Sequence, residues 1–301
     1  MAQSLHSPRQ VNAMLNIKHI LFPIDFSDRC CTAAPFVESI ARRYKAKTTM
    51  FSVAQPFYLP SMGDPTGGAV FDTEELVRDA SDRLAHTLTK EFAGLEVERI
   101  VRFGDPAQSI VDFAHAHEVD LIMMPTHGYG PFRSLLLGSV AAKVLHDAHC
   151  PVWTAAHVPD KPAREHIACG KILCAVDGSQ ASIPLMKWAV DFAKDAGAGL
   201  RFVHVIPGME GFPEGHLDRE FEEDLRKDAL RNIDALQQAV GSEMPICVTA
   251  GSVATSVREE AFRHKADLVI IGRGAMQESM GRLRTHAYGI IRQSPCPVLS
   301  V

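Results

Sequence analysis

Between Gly128 and Ser139 the sequence reads GYGPFRSLLLGS, a run whose residue types suit recognition of phosphate by backbone. Gly128 and Gly130 carry no side chain to keep an anion from the main chain, and Gly138 and Ser139 fall in the first half of an apolar helical pattern. Amides and a hydroxyl at such a helix start can face one anion. Arg133 could add charge there or sit solvated at the helix start. Glycines at this spacing also serve tight packing and capping, so the residues alone leave both uses open.

Two aspartates occur at matching places. Asp25 follows HILFPI and Asp177 follows ILCAV, each at the end of an apolar strand pattern. A carboxylate there can accept hydrogen bonds from a base or a ribose; it can equally cap the next helix or close an Asx turn. Val53 and Val205 end the second strand pattern of each half and would either wall an adenine pocket or belong to the core.

The elements that must position these residues appear twice. KHILFPIDFSD at Lys18–Asp28 reads against GKILCAVDGSQ at Gly170–Gln180, EVDLIMMPTHG against KADLVIIGRGA, and CPVWTAA against CPVLSV. A repeat of this length makes two domains of one ancestry, at residues 1–157 and 168–301, the economical reading. The polar stretch Ala155–Gly170, with Pro159 and Pro162, serves as the linker. Helical periodicity covers Ala33–Tyr44, Thr73–Phe92, Pro106–His117 and Ser134–His146, and again Ile183–Lys194, Phe221–Val240, Val253–His264 and Ser279–Arg292.

Short Val- and Ile-rich strands alternating with helices predict an α/β fold: two tandem doubly wound domains, each with its own parallel sheet of about five strands covered by helices on both faces. The halves are expected to pack as an internal pseudo-dimer, and one sheet running through the whole chain would run against this picture. Ligands of such sheets collect at the carboxyl ends of the strands. The Gly- and Pro-containing connection Pro56–Asp72 suits a surface loop, an interface or a lid.

Composition limits the function classes. With 301 residues, 46% hydrophobic and 22% charged, the chain can bury sizeable cores, and its net charge of −5 offers no broad attraction to nucleic acid or anionic lipid. No secretory signal or membrane span is read, so a cytoplasmic protein is expected. The seven cysteines form no Cys-x-x-Cys unit and read as reduced structural thiols. HAHE at His115–Glu118 and HDAHC at His146–Cys150 supply no complete zinc pattern, so no structural metal is expected. No P-loop, nucleophile elbow or nucleophile–base set is recognisable, although His127 and His286 lie close to the two clefts.

Taken together, the repeat and the Gly128–Ser139 stretch resemble the universal stress protein family in a tandem form covering nearly the whole chain. That family's nucleotide-binding pattern is Gly, two residues, Gly, nine residues, then Gly followed by Ser or Thr. Gly128, Gly138 and Ser139 match it, with Pro125 in place of the first glycine, and LLLGSVAAKVLHDAHCPV continues it. The resemblance implies a Rossmann-like, adenine nucleotide alpha hydrolase-like fold. It also implies an adenine nucleotide, ATP with or without Mg2+, held by Asp25 and Val53 at base and ribose and by Gly128, Gly138, Ser139 and Val140 at the phosphates.

Pro125 removes one amide donor from that cradle. In the second half Gly272 restores the first glycine, Ala275 replaces the next, and Thr285 with His286 is read as replacing Gly-Ser, with Arg273 placed to add charge. The expectation is at most one efficient site, with the first half favoured over the second and a composite or asymmetric arrangement also open. It would belong to a stress-response regulator with little or no catalysis, working through a homo-oligomer or a regulatory protein partner. The alternatives are a tandem interaction scaffold with degenerate sites and, third, a weak ATP-hydrolysing or adenylating enzyme.

Overall fold

The computed structural model describes residues 15–55, 72–126, 137–155, 167, 169–206, 219–273 and 282–301. The connection expected at Pro56–Asp72 lies outside them except for Asp72. In the first half β1 (His19–Pro23), β2 (Lys47–Ala54), β3 (Val97–Phe103), β4 (Leu121–Met124) and β5 (Val152–Thr154) alternate with α1 (Asp28–Tyr44), α2 (Thr73–His86), α3 (Pro106–Ala116) and α4 (Ser139–Asp147). The second half repeats the order with β6 (Lys171–Val176), α5 (Ser182–Ala196), β7 (Gly199–Ile206), α6 (Arg219–Val240), β8 (Ile246–Ala250), α7 (Val253–His264), β9 (Leu268–Ile271), α8 (Arg282–Gln293) and β10 (Val298–Ser300).

Local chemistry explains the boundaries. Asp105 caps α3 by accepting the Gln108 amide at 2.8 Å, with Pro106 occupying the first turn where its missing N–H costs nothing. Gly197 closes α5 in the left-handed conformation, φ 64°. The expected helix Thr73–Phe92 stops at His86, because Leu88 turns left-handed and Phe92 folds back to stack on Phe22.

Strands β1, β4, β6 and β9 each lie inside the sheet between two neighbours, and Ile20, Leu21, Phe22, Ile122, Ile172, Leu173, Leu268 and Ile270 are fully buried. Continuous apolar runs are what a parallel strand covered on both faces requires. Each half has the parallel order 3-2-1-4-5, seen as β3-β2-β1-β4-β5 and as β8-β7-β6-β9-β10. Asp120 ties the start of β1 by accepting the Lys18 and His19 amides at 2.7 and 2.9 Å, and Asp267 does the same for Lys171 at 2.9 Å.

The two sheets are not separate, which corrects the sequence expectation. The short edge strands β5 and β10 pair antiparallel, Val298 with Thr154, Leu299 with Trp153 and Ser300 with Val152, giving one ten-stranded sheet. Each parallel half would otherwise end on a row of unsatisfied backbone groups. Strands related by a local twofold can meet edge to edge only in antiparallel fashion, and a Cys-Pro-Val strand pattern names no partner. Both core layers consequently run across the junction: α1 and α5 cover one face there, with Phe36 against Trp153 at 4.9 Å between ring centroids. Among the described residues no helix is long and apolar enough to cross a membrane.

Candidate functional site

In each half the strand order reverses between the first strand and the fourth, so a crevice opens beyond the carboxyl ends of β1 and β4, and of β6 and β9. Asp25 lies at this point. Its side chain is exposed, and three donors converge on Oδ1: the Ser27 amide at 2.9 Å, the Ser27 hydroxyl at 2.6 Å and the Cys30 thiol at 2.8 Å. The Cys30 sulfur in turn receives the Asp25 amide at 3.5 Å. Burial, followed by the Asp25 charge, pushes the Cys30 thiol far above its ordinary range, which keeps it a donor.

The second half builds the same turn from different residues. Asp177 Oδ1 accepts the Ser179 amide at 2.9 Å, the Ser179 hydroxyl at 2.8 Å and the Ser182 hydroxyl at 2.6 Å, while the Asp177 amide donates to Ser182 Oγ at 3.3 Å. Burial pulls the Asp177 carboxyl up, but the Ser182 and Ser179 donors outweigh it and hold the group below the usual carboxylate value. Asx-turn and ligand-facing roles are therefore compatible in one residue: Oδ1 fixes the loop, and among the described residues Oδ2 has no hydrogen-bond donor.

Between aspartate and serine each loop needs a left-handed residue. It is Phe26 at φ 61° in the first half and Gly178 at φ 78° in the second. Phe26 meets the Arg83 guanidinium 4.2 Å from its ring centroid. A Cβ on Gly178 would stand 3.2 Å from His204 Cε1, because His204 donates Nδ1–H to the Val176 carbonyl at 3.0 Å and so lies beneath the loop. The register makes Ser52 the first-half counterpart of His204, which leaves room for Phe26. Residue type alone does not single out Ser27, Cys30, Ser182, Phe26 or His204. The aligned D-x-S triplets, followed by Cys30 and Ser182, carried the signal for the loop.

The phosphate side of the first cleft is described in part. Gly128, Gly130, Arg133 and His127 lie outside the described residues. Pro125 and Thr126 are buried at the end of β4, and the Gly138 amide donates to the Thr126 carbonyl at 3.0 Å, pinning the start of α4 there. Gly138 is the N-cap of α4 with φ −58°, a value open to any residue, and among the described residues no side chain caps the helix. Ser139 is exposed at the first helical position, so hydroxyl and first-turn amides are available at the positive end of the helix. Val53 and Val140 are half-buried on the core layer formed with α3 and α4, whereas Val205 is buried in the corresponding layer of the second half.

The second cleft differs in two ways from its sequence reading. The buried pair Val144 and Leu145 of α4 corresponds to Ile290 and Ile291 of α8. That register sets Thr285 opposite Ser139 and Arg284 opposite Gly138; His286, exposed, matches Val140, one position from where the sequence comparison put it. Gly272 is exposed after β9, but the Arg273 guanidinium is held by the first half, donating to the Ala148 carbonyl at 2.6 Å and the Cys150 carbonyl at 2.8 Å. The backbone fixes this direction, since β9 and β10 continue through Val301 N–H to Ile271 and Arg273 N–H to Val301. Ala275 lies outside the described residues. Among the described residues no group of three or more His, Cys, Asp or Glu side chains could hold a metal, and all seven cysteines are free.

Comparison with known proteins agrees with this geometry. A universal stress protein of Methanocaldococcus jannaschii is 33% identical over 150 residues, 49% of this chain and 85% of that protein. One of Mycolicibacterium smegmatis is 27% identical over 190 residues, 62% of this chain and 63% of its own length. Among solved structures, a universal stress protein from Archaeoglobus fulgidus superposes with a TM-score of 0.66 at 22% identity, covering 95% of this chain and 96% of that one, a likeness of fold. The family model described as the universal stress protein family matches twice, at residues 16–155 and 169–301, and with the doubled Asp loop and doubled sheet order this places the chain in the universal stress protein family.

Proposed function

We propose that the protein is a stress-response regulator that binds an adenine nucleotide, ATP, in the first-half cleft and does little or no chemistry on it. The observation that carries this reading is the pairing, at one strand-order reversal, of the Asp25 carboxylate with an α4 N-terminus that no side chain among the described residues caps. Asp25 Oδ2 would accept from ribose or base. The first-turn amides of α4 and the Ser139 hydroxyl would meet phosphate oxygens, with Gly138 keeping side-chain volume out of the approach. Val53 and Val140 supply half-buried apolar surface beside them. These donors suit a polyphosphate with or without Mg2+; no residue is assigned to activating water, so hydrolysis would be slow or incidental.

A second reading, a tandem interaction scaffold, draws on Pro125, which withholds one donor from the cradle, and on the engagement of Arg273 outside the second cleft. Titration calorimetry of the folded protein with ATP, ADP and AMP, with and without Mg2+, separates the two. Saturable ATP binding is expected; no heat at millimolar nucleotide would favour the scaffold.

A further inference from the structure

Helix α4 presents its first turn to the proposed nucleotide cleft, yet much of what holds it comes from the other half of the chain. The Tyr288 hydroxyl on α8 donates to the Ala142 carbonyl in the middle of α4 at 3.1 Å, and Arg273 grips the Ala148 and Cys150 carbonyls beyond its C-terminus. Tyr288 and Ala142 occupy corresponding positions in the two halves, so a large residue on one side meets a small one on the other.

The corresponding end of α8 is held differently. Ser294 follows α8 as Ala148 follows α4: Ser294 N–H donates to Ile290 at 2.8 Å, and Ala148 N–H donates to Val144 at 2.9 Å. The Ser294 hydroxyl donates to the Cys296 carbonyl at 2.7 Å, so the second half holds this carbonyl by itself. Alanine at 148 cannot do so, and the equivalent Cys150 carbonyl is taken by Arg273 instead. Threonine stands at the first-half position matching Arg273, too short to return the grip. The dependence therefore runs one way, and a planar two-pronged guanidinium fixes two carbonyls at once.

We infer that Arg273 is a positioning residue for the first cleft: by holding the far end of α4 it sets where the helix presents its N-terminal amides, and the second half thereby tunes nucleotide affinity in the first. This rests on the nucleotide reading of the first cleft. Because Arg273 directly follows β9, it would also carry any movement of that strand end to α4.

The test uses the full chain with ATP as probe, reading affinity by calorimetry and α4 order by amide exchange over residues 140–147. Arg273→Met is expected to weaken ATP binding by about five- to tenfold and to speed α4 exchange, with β1 and β4 protection unchanged. Arg273→Lys, which keeps the charge but not the fork, should fall between. Adding Ala148→Ser to Arg273→Met supplies in the first half the hydroxyl that Ser294 supplies in the second, and should bring both α4 protection and affinity back toward the parent. If Arg273→Met unfolds, Arg273→Lys with and without Ala148→Ser carries the same comparison. Unchanged affinity in a folded Arg273 variant would overturn the inference and leave nucleotide binding standing, as would restored α4 protection without restored affinity. A parent chain that binds no ATP would overturn both, and is recognised from the parent titration alone.

Discussion

Trp153 and Leu299 hold the same place in their respective halves and stand directly opposite each other across the antiparallel β5–β10 pair. The local twofold passes through this pair, and both side chains are buried in a core layer that also receives Phe36 from α1 and Phe192 from α5. The junction is thus built as the interior of one domain.

Leu299→Ala should accordingly destabilise the whole chain by about 2–5 kcal/mol, the usual cost of emptying a buried leucine site. Urea unfolding followed by tryptophan fluorescence checks this, since Trp153 and Trp188 report from the two halves. A single shifted transition is expected; loss of stability in the second half alone would contradict a shared core.

Gly178→Ala should lower stability by about 1–3 kcal/mol, because an alanine at φ 78° is strained and its Cβ would press on His204. Thermal melting of Gly178→Ala beside the double variant Gly178→Ala/His204→Ser tests the cause. The second change recreates the first-half arrangement, where Ser52 leaves room for Phe26, and part of the loss should return.

Much of this was legible beforehand. The helix expectation Val253–His264 coincides with α7, because an apolar stripe and a strand on either side fix a helix locally. The joining of the sheets was not legible, since an edge strand's partner depends on which surfaces meet, not on its own residues. Arg273 reads as a cleft cation because it follows a strand end, but the continuing β9–β10 ladder sends its side chain to the other half. A Gly-Ser match places Thr285 and His286 one position away from the register that the buried pairs Val144–Leu145 and Ile290–Ile291 impose. An aspartate after a strand leaves turn and ligand roles both open in sequence; the structure shows the Asx turn, and among the described residues no donor takes Asp25 Oδ2.

The depressed Asp177 carboxyl gives a pH signature. A folded-state value below the unfolded one means a contribution to stability that is present above the unfolded value, near 3.9, and lost as pH falls through the folded value. Asp177→Asn should remove that contribution, so parent and variant should differ in urea stability at pH 6 and converge on acidification below about pH 4. A gap that stayed constant down to pH 2 would show that the turn does not depend on the charge.

If the first cleft, not the second, takes the nucleotide, the matched aspartate loops allow a direct measurement. Asp25→Ala and Asp177→Ala each delete a three-donor turn, closed by a thiol in the first half and a hydroxyl in the second, so both lose the loop's anchor and, in folded samples, a ligand role is read from the difference in ATP affinity. Calorimetric titration with ATP, after melting confirms folded samples, should show Asp25→Ala weakened by about tenfold or more, the worth of a hydrogen bond to a charged group, and Asp177→Ala within about twofold of the parent. Equal losses would show that both clefts bind, and a loss confined to Asp177→Ala would move the nucleotide to the second cleft.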